Sequence, residues 1–152
     1  MSFSTRNLEA VGATLYVCEG TRMRFLKDGR KHYAVEFTNK DPRIIKFFLN
    51  FLRNIIRADE SRIKAELFIY PDHDERKIKK YWSNLTKIPW ARFNKTILLK
   101  QKNFRYKPNP LGTLKIRYTH KDHFIKIQGI IDKIFGEESP SGHGTGLENP
   151  DP

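Results

Sequence analysis

Asp28-Gly29 sits between two runs of alternating apolar and polar residues, and no other stretch constrains the fold as tightly. In the first run Met23 and Phe25 alternate with Arg22 and Arg24. In the second, Tyr33, Val35 and Phe37 alternate with His32, Ala34, Glu36 and Thr38. A period of two sends successive side chains to opposite faces of a strand. Asp-Gly supplies the left-handed backbone of a tight turn, so Lys27-Asp28-Gly29-Arg30 is predicted to join the runs into an antiparallel hairpin. Such a pair has one apolar face, and the rest of the chain must cover it.

The covering elements follow from helical periodicity. A first helix is expected over about Leu8 to Glu19, capped by Asn7 or Thr5 and left through Gly20. Asp41-Pro42 pairs a cap residue with proline at the first helical position. Ile44, Ile45, Phe48, Leu49, Leu52, Ile55 and Ile56 follow at helical spacing, ending near Arg57. Lys64 to Tyr70 reads as a third strand, stopped by Pro71. The acids of Asp72-His73-Asp74-Glu75 suit a helix cap and first turn better than a metal loop. The helix they open directs Ile78, Tyr81, Trp82 and Leu85 inward and Lys77, Lys79 and Lys80 outward. Residues 87–111 read as irregular, with Trp90, Phe93, Phe104 and Tyr106 set among Lys87, Arg92, Lys95, Lys100, Lys102, Arg105 and Lys107. Beyond Pro108 and Pro110 comes a fourth strand, 112–120, in which Leu114, Ile116 and Tyr118 alternate with Lys115, Arg117 and Thr119. A last helix from about Lys121 to Phe135 places Phe124, Ile127, Ile131 and Ile134 or Phe135 on one side, and Gly136 stops it.

The order α-β-β-α-β-α-β-α, without internal repeat, predicts an α+β domain over residues 1–136. Its expected form is a mixed or antiparallel four-stranded sheet with helices on one face and a basic open face. The charge sharpens this. The chain carries 29 Lys and Arg against 17 Asp and Glu, a net +12 over 152 residues. Four of the acids (Glu137, Glu138, Glu148, Asp151) lie in a cation-free tail, which leaves 29 cations against 13 acids, +16, on residues 1–136. Such a charge favours a polyanionic partner, because neutralising phosphates releases counterions. It also fits a charge kept for solubility, or a ribosome-associated protein. No stretch combines a Lys-rich face with the clean apolar face that an interfacial membrane helix needs. The Gly-, Pro- and Ser-rich tail, 137–152, is expected to be disordered, with His143 solvated. One cysteine, Cys18, excludes an internal disulfide and a CxxC zinc site. The N-terminal stretch lacks the apolar core of a signal peptide and no run has membrane-span length, so the protein is expected to be soluble and intracellular.

The first helix, VGATLYVCEG in its second half, carries a constellation of its own. Ala10, Thr14 and Cys18 recur every four residues and form a stripe of small side chains. Such a stripe lets two helices approach closely, either within this chain or across a two-fold axis in a homodimer. In a dimer the two Glu19 carboxylates would meet at the helix tips. Carboxylates held close repel unless a cation, such as a divalent metal, lies between them.

GATLYVCEG resembles the LAGLIDADG motif, the signature helix of the LAGLIDADG homing endonucleases. Aligned on the final acid and glycine, Thr14 and Cys18 take the small-residue positions and Glu19 the metal-binding acid. Thr14 replaces the motif's usual glycine, and Val17 stands where an acid is common. The family's α-β-β-α-β-β-α order matches if residues of about 72–111, with their helix, are an insertion. The resemblance implies a homodimer in which Glu19, placed by Cys18 and Gly20, ligates Mg2+ or another divalent cation, and which cleaves double-stranded DNA read by sheet residues in the major groove. It also implies a basic residue near the metal, for which Lys95, Lys100 and Lys115 are candidates. Candidate DNA contacts are Arg22, Arg24, Lys27, Arg30, Lys31, His32, Lys115 and Arg117, since arginine holds phosphate and reads guanine edges. Two alternatives remain open: a DNA-binding regulator on the same scaffold without cleavage, and an RNA-binding or maturase-like protein whose 87–111 aromatics stack on unpaired bases. His120 and His123 read as a helix start rather than metal ligands, and Cys18 as a packing residue rather than a nucleophile.

Overall fold

The first helix, α1 (Thr5–Glu19), starts one turn earlier than its sequence predicts. In this computed structural model, which describes residues 4–21, 24–25, 31–100 and 109–136, Ser4 is the cap: its hydroxyl accepts from the Asn7 N–H at 3.2 Å. Neither Thr5 nor Asn7 caps, because both are already helical. Thr21, Arg24, Phe25, Lys31 and His32 are described through the backbone alone. The expected turn at 27–30 and the expected disordered tail, 137–152, lie outside the described residues.

After α1 the chain forms β1 (Gly20–Thr21), β2 (Arg24–Phe25), β3 (Lys31–His32) and β4 (Ala34–Asn39). Gly20 pairs with Phe37 and Thr21 with Glu36, whereas Arg24 pairs with His32 and Phe25 with Lys31. The predicted hairpin is thus present but broken in register. Between Phe25 and Gly20 the first strand has one residue fewer than the second has between Lys31 and Phe37, so a one-residue bulge interrupts the ladder near Tyr33. β2 and β3 form a separate two-stranded ribbon.

Helix α2 (Pro42–Phe51) begins as predicted, with Asp41 accepting from the Arg43 N–H at 2.9 Å. A π-helical turn, Leu52–Ile56, extends it to Arg57, whose left-handed φ of 65° ends it. Then follow β5 (Ile63–Ile69), α3 (Glu75–Thr86), β6 (Ile97–Leu98), β7 (Thr113–Thr119) and α4 (Lys121–Phe135). The main sheet runs β1-β4-β7-β5-β6, antiparallel except for the parallel β5–β6 pair. The α+β class with a mixed open sheet holds. The strand count differs: three long strands carry the sheet and two-residue strands form both edges. Residues 87–111, expected to be irregular, contain β6 and a 3-10 turn at Trp90–Arg92.

Strand alternation places Val35 and Phe37, Ile63, Ala65, Leu67 and Ile69, and Leu114, Ile116 and Tyr118 in one buried layer. Helices α1, α2 and α4 lie against β4, and α3 packs on α2. Phe48 joins the layers: its ring stacks on Phe37 at 4.1 Å and faces Tyr16 at 6.1 Å. Burial of each such side chain contributes about 1.5–3 kcal/mol. Two expected core positions turn outward. Tyr81 is 39% exposed because Trp82, 0% exposed, fills the inward site beside it and donates its indole N–H to the Leu111 carbonyl at 2.7 Å. Ile134 and Phe135 are exposed and Ile130 is buried instead, since among the described residues nothing covers the last turn of α4. Among the described residues no helix is long and apolar enough to cross a membrane.

Candidate nucleic-acid interface

Glu19 is the last residue of α1, and its carboxylate is exposed. The Gly20 N–H caps the helix by donating to the Tyr16 carbonyl. Gly20 is extended (φ −86°, ψ 166°), so it is not a left-handed exit. Glycine is required for another reason: a Cβ there would stand 2.1 Å from Tyr16 Cδ1. Asn39, at the end of β4, reaches Glu19 from the other side, its Nδ2 donating to Oε1 at 3.4 Å. The Asn39 Oδ1 in turn accepts from the Asp41 N–H at 2.8 Å, which holds the amide in this orientation. The acid is thereby tied to the β4–α2 junction.

The small residues of α1 divide into two sides. Gly12 and Ala13 are buried, and Gly12 lies directly on the Phe51 ring of α2. Thr14 and Cys18 are exposed and Ala10 half-buried; Val11, 37% exposed, lies beside them. Close packing within the chain therefore uses Gly12 and Ala13, while the Ala10/Thr14/Cys18 stripe faces outward. No charged residue interrupts it, and Thr14 Oγ1 is turned back onto the Ala10 carbonyl at 2.8 Å. Glu9, at the margin, pairs with Lys133 at 3.3 Å.

The face of the sheet opposite the helices is less basic than its sequence suggests. Lys115 lies 3.7 Å from Glu66, its cross-strand neighbour, and 5.3 Å from the Phe68 ring centre. Arg117 lies 3.3 Å from Glu36, the residue opposite it on β4. Glu36 is 5% exposed, so this carboxylate is buried against its arginine. Of the three candidate lysines, Lys115 is on the strand beside β4, where it pairs with Thr38, one residue from Asn39, and belongs to the open face. Lys95 and Lys100 flank β6 at the far edge, four strand spacings from β1, roughly 19 Å. The structure does not bring them to Glu19. Arg22, Lys27 and Arg30 lie outside the described residues; Arg24, Lys31 and His32 are placed only as register positions in the ribbon.

The histidines start α4 as expected. His120 Nδ1 accepts from the His123 N–H at 3.1 Å, and the two rings stack at 3.9 Å. The Tyr118 hydroxyl accepts from the Asp59 N–H at 2.9 Å and shares a hydrogen bond of 2.6 Å with His123 Nδ1. Burial, then the nearby His120 and Lys126, hold His123 below the usual imidazole range. In the 3-10 turn Glu60–Arg62 that leads into β5, burial pushes the Glu60 carboxyl up, but hydrogen bonds and charge from Arg53 and Arg92 outweigh it and hold the group low.

Among the described residues no three Cys, His, Asp or Glu side chains converge as a metal group. Cys18 is exposed, and a soft thiol is a poor ligand for Mg2+. Sequence reasoning missed Glu36, Asn39, Arg62, Lys64 and Glu66. Their signal was available for the strand residues, since Lys64 and Glu66 share the polar parity of β5 and Glu36 that of β4. Compared with known proteins, the chain matches no family model, no curated protein and no solved structure.

Proposed function

We propose that this protein is a homodimeric, divalent-metal-dependent endonuclease of the LAGLIDADG type, acting on double-stranded DNA. The observation that carries the reading is the joint placement on α1 of an outward, uncharged, small-residue stripe and an exposed terminal acid. A two-fold contact through Ala10, Thr14 and Cys18 brings two Glu19 carboxylates together. One protomer has a single carboxylate there, so the donor set fits Mg2+ only when two Glu19 side chains, phosphate oxygens and water share the ion. Cys18 and Gly20 place the acid, and Asn39 orients it. The bound cation supplies Lewis-acid stabilisation of the phosphoryl oxygens. Lys115, steadied by Glu66 and Phe68, is the basic residue best placed to approach the phosphate. The ribbon cations and Arg117 contact the duplex.

The test is linearisation of plasmid or random-sequence duplex in Mg2+, with sedimentation to measure assembly. Glu19→Gln is expected to lose roughly a hundredfold or more of the rate, as removal of a charge-stabilising group does. Thr14→Lys is expected to give monomers, because it buries like charges across the axis. Cleavage unchanged in Glu19→Gln refutes the metal role. Duplex binding without cleavage favours the non-cleaving regulator, and a preference for single-stranded RNA favours the maturase-like reading.

A further inference from the structure

The sheet's open face is charge-matched along most of its length. Lys115 has Glu66 opposite it, and Arg117 has Glu36 on its β4 side. At one corner the match fails. Lys64 stands directly opposite Arg117, and like charges in that position destabilise a sheet. Ile63 pairs with Tyr118, so Arg62, the next residue out, adds a third cation beside Thr119. Ser61, Arg62, Lys64, Asn94, Arg117 and Thr119 line a shallow cleft of about 540 Å³. Every one of these side chains can donate a hydrogen bond, and none is an acid.

Of the nearby carboxylates, Asp59 is close enough for its charge to act on Arg62, but it makes no ion pair with it among the described residues. Asp59 accepts from the Ser61 N–H at 3.1 Å and hydroxyl at 2.7 Å, and Glu60 is held by Arg53 at 2.8 Å and Arg92 at 3.2 Å. Among the described residues neither Arg62 nor Lys64 has a carboxylate within ion-pair distance. Arg117 is already paired with Glu36, so Arg62 and Lys64 are the cations that an anion in this donor-lined hollow would compensate. Along β7, Arg117 and Thr119 lie three and five residues from Leu114, the partner of Asn39. At about 3.4 Å per residue that is roughly 10–17 Å. Backbone phosphates on one strand also step by about 3.4 Å along the duplex axis, so for a duplex lying along β7 the offset would correspond to roughly 3–5 nucleotides.

We infer that the Arg62–Lys64–Arg117 corner is a phosphate-binding site that grips the backbone of duplex DNA a few nucleotides from the Glu19 end of the sheet. The inference rests on the reading of the open face as a DNA surface, but needs neither metal nor cleavage. Arg62 and Lys64 position the duplex, with Asn94 and Thr119 as neutral donors to the same phosphate.

The experiment measures affinity for a random-sequence 30-base-pair duplex by anisotropy in EDTA, across a salt series. In Arg62→Ala/Lys64→Ala the affinity is expected to fall about tenfold or more, and the slope of log K against log salt to fall by about 2, as loss of two phosphate contacts requires. Lys77→Ala/Lys80→Ala on α3 removes the same charge from an exposed helix face and is expected to leave the slope unchanged. Equal slopes in the two double variants overturn the inference, since net charge alone then explains binding. Micromolar pyrophosphate binding that the first variant loses, with its duplex slope intact, assigns the corner to a free phosphate compound and also overturns it. Cleavage with an unchanged slope leaves the nuclease reading standing, whereas a reduced slope without cleavage leaves only this site.

Discussion

Gly12→Ala and Gly129→Ala are the same chemical change in two helices, and the structure predicts opposite signs. At Gly12 an added Cβ would lie 2.2 Å from Phe51 Cγ and Cδ1 and 2.7 Å from its Cβ. Carbon atoms rest about 3.5–4.0 Å apart, so the overlap exceeds about 1 Å. Phe51 is fully buried and its ring sits 5.8 Å from that of Phe48, which leaves it little room to turn. The backbone of α1 must move outward, loosening Ala13 and Tyr16. Overpacking costs about 1–3 kcal/mol, and a contact this short belongs at the upper end. Alanine returns about 1 kcal/mol of helix propensity, leaving a net loss of about 2 kcal/mol. At Gly129, exposed on α4, nothing lies within 4 Å of the new Cβ, so only the gain of about 0.5–1 kcal/mol remains. For a chain of this size the Tm should fall by about 4–8 °C in the first variant and rise by about 1–4 °C in the second. Urea unfolding with an unchanged m-value checks the free energies. If Gly12→Ala is as stable as the parent, or shifts upward alongside Gly129→Ala, the close α1–α2 approach is wrong, and with it the outward stripe.

Tyr118→Phe should cost about 1–3 kcal/mol in urea unfolding, because it leaves the Asp59 N–H and His123 Nδ1 without the hydroxyl between them. Stability should also decline in two steps on acidification. His123 is held below its ordinary value of 6.5, so the unfolded chain takes up that proton first; stability is full above about 6.5 and falls as the pH drops through the lower folded value. Glu60 is held below 4.5, so its contribution is present above that pH and is lost below it. His123→Gln should abolish the upper step alone, as read from urea midpoints across pH; persistence of that step refutes the assignment.

Local features of the fold were legible wherever a single stretch decides its own structure. Asp41 caps the helix it was expected to cap, the acids after Pro71 open α3 with Asp74 as the cap, and Gly136 ends α4. The alternation of β5 and β7 sorts their side chains correctly. What depends on partners was not legible. Nothing in Ile97-Leu98 announces a parallel pairing with β5, which arises because the segment after α3 returns along the sheet edge. The hairpin runs alternate cleanly, yet a bulge near Tyr33 shifts their register. The same holds for the candidate site. Glu19 and the stripe could be read from one helix. The neutralisation of Lys115 and Arg117 could not, because it depends on which acids face them across β5 and β4. Arg62 escaped notice because it lies in a turn, where no periodicity marks a face.

β7 is the central strand of the sheet, and among the described residues it is also the last strand in chain order. Its partner residues lie far back in the chain, Ala34 for Thr119 and Ile63 for Tyr118. Until it emerges from the ribosome, β4 and β5 each present an unpaired edge with no neighbour between them. The sheet therefore closes late and over long sequence separations, which makes for slow folding. A chain stopped short of Thr113 exposes two sticky edges at once, the situation that promotes pairing with other chains. Seating one strand joins both halves of the sheet and sets the Lys115 and Arg117 pairs in a single event, so the charge pattern of the open face comes into being only with β7.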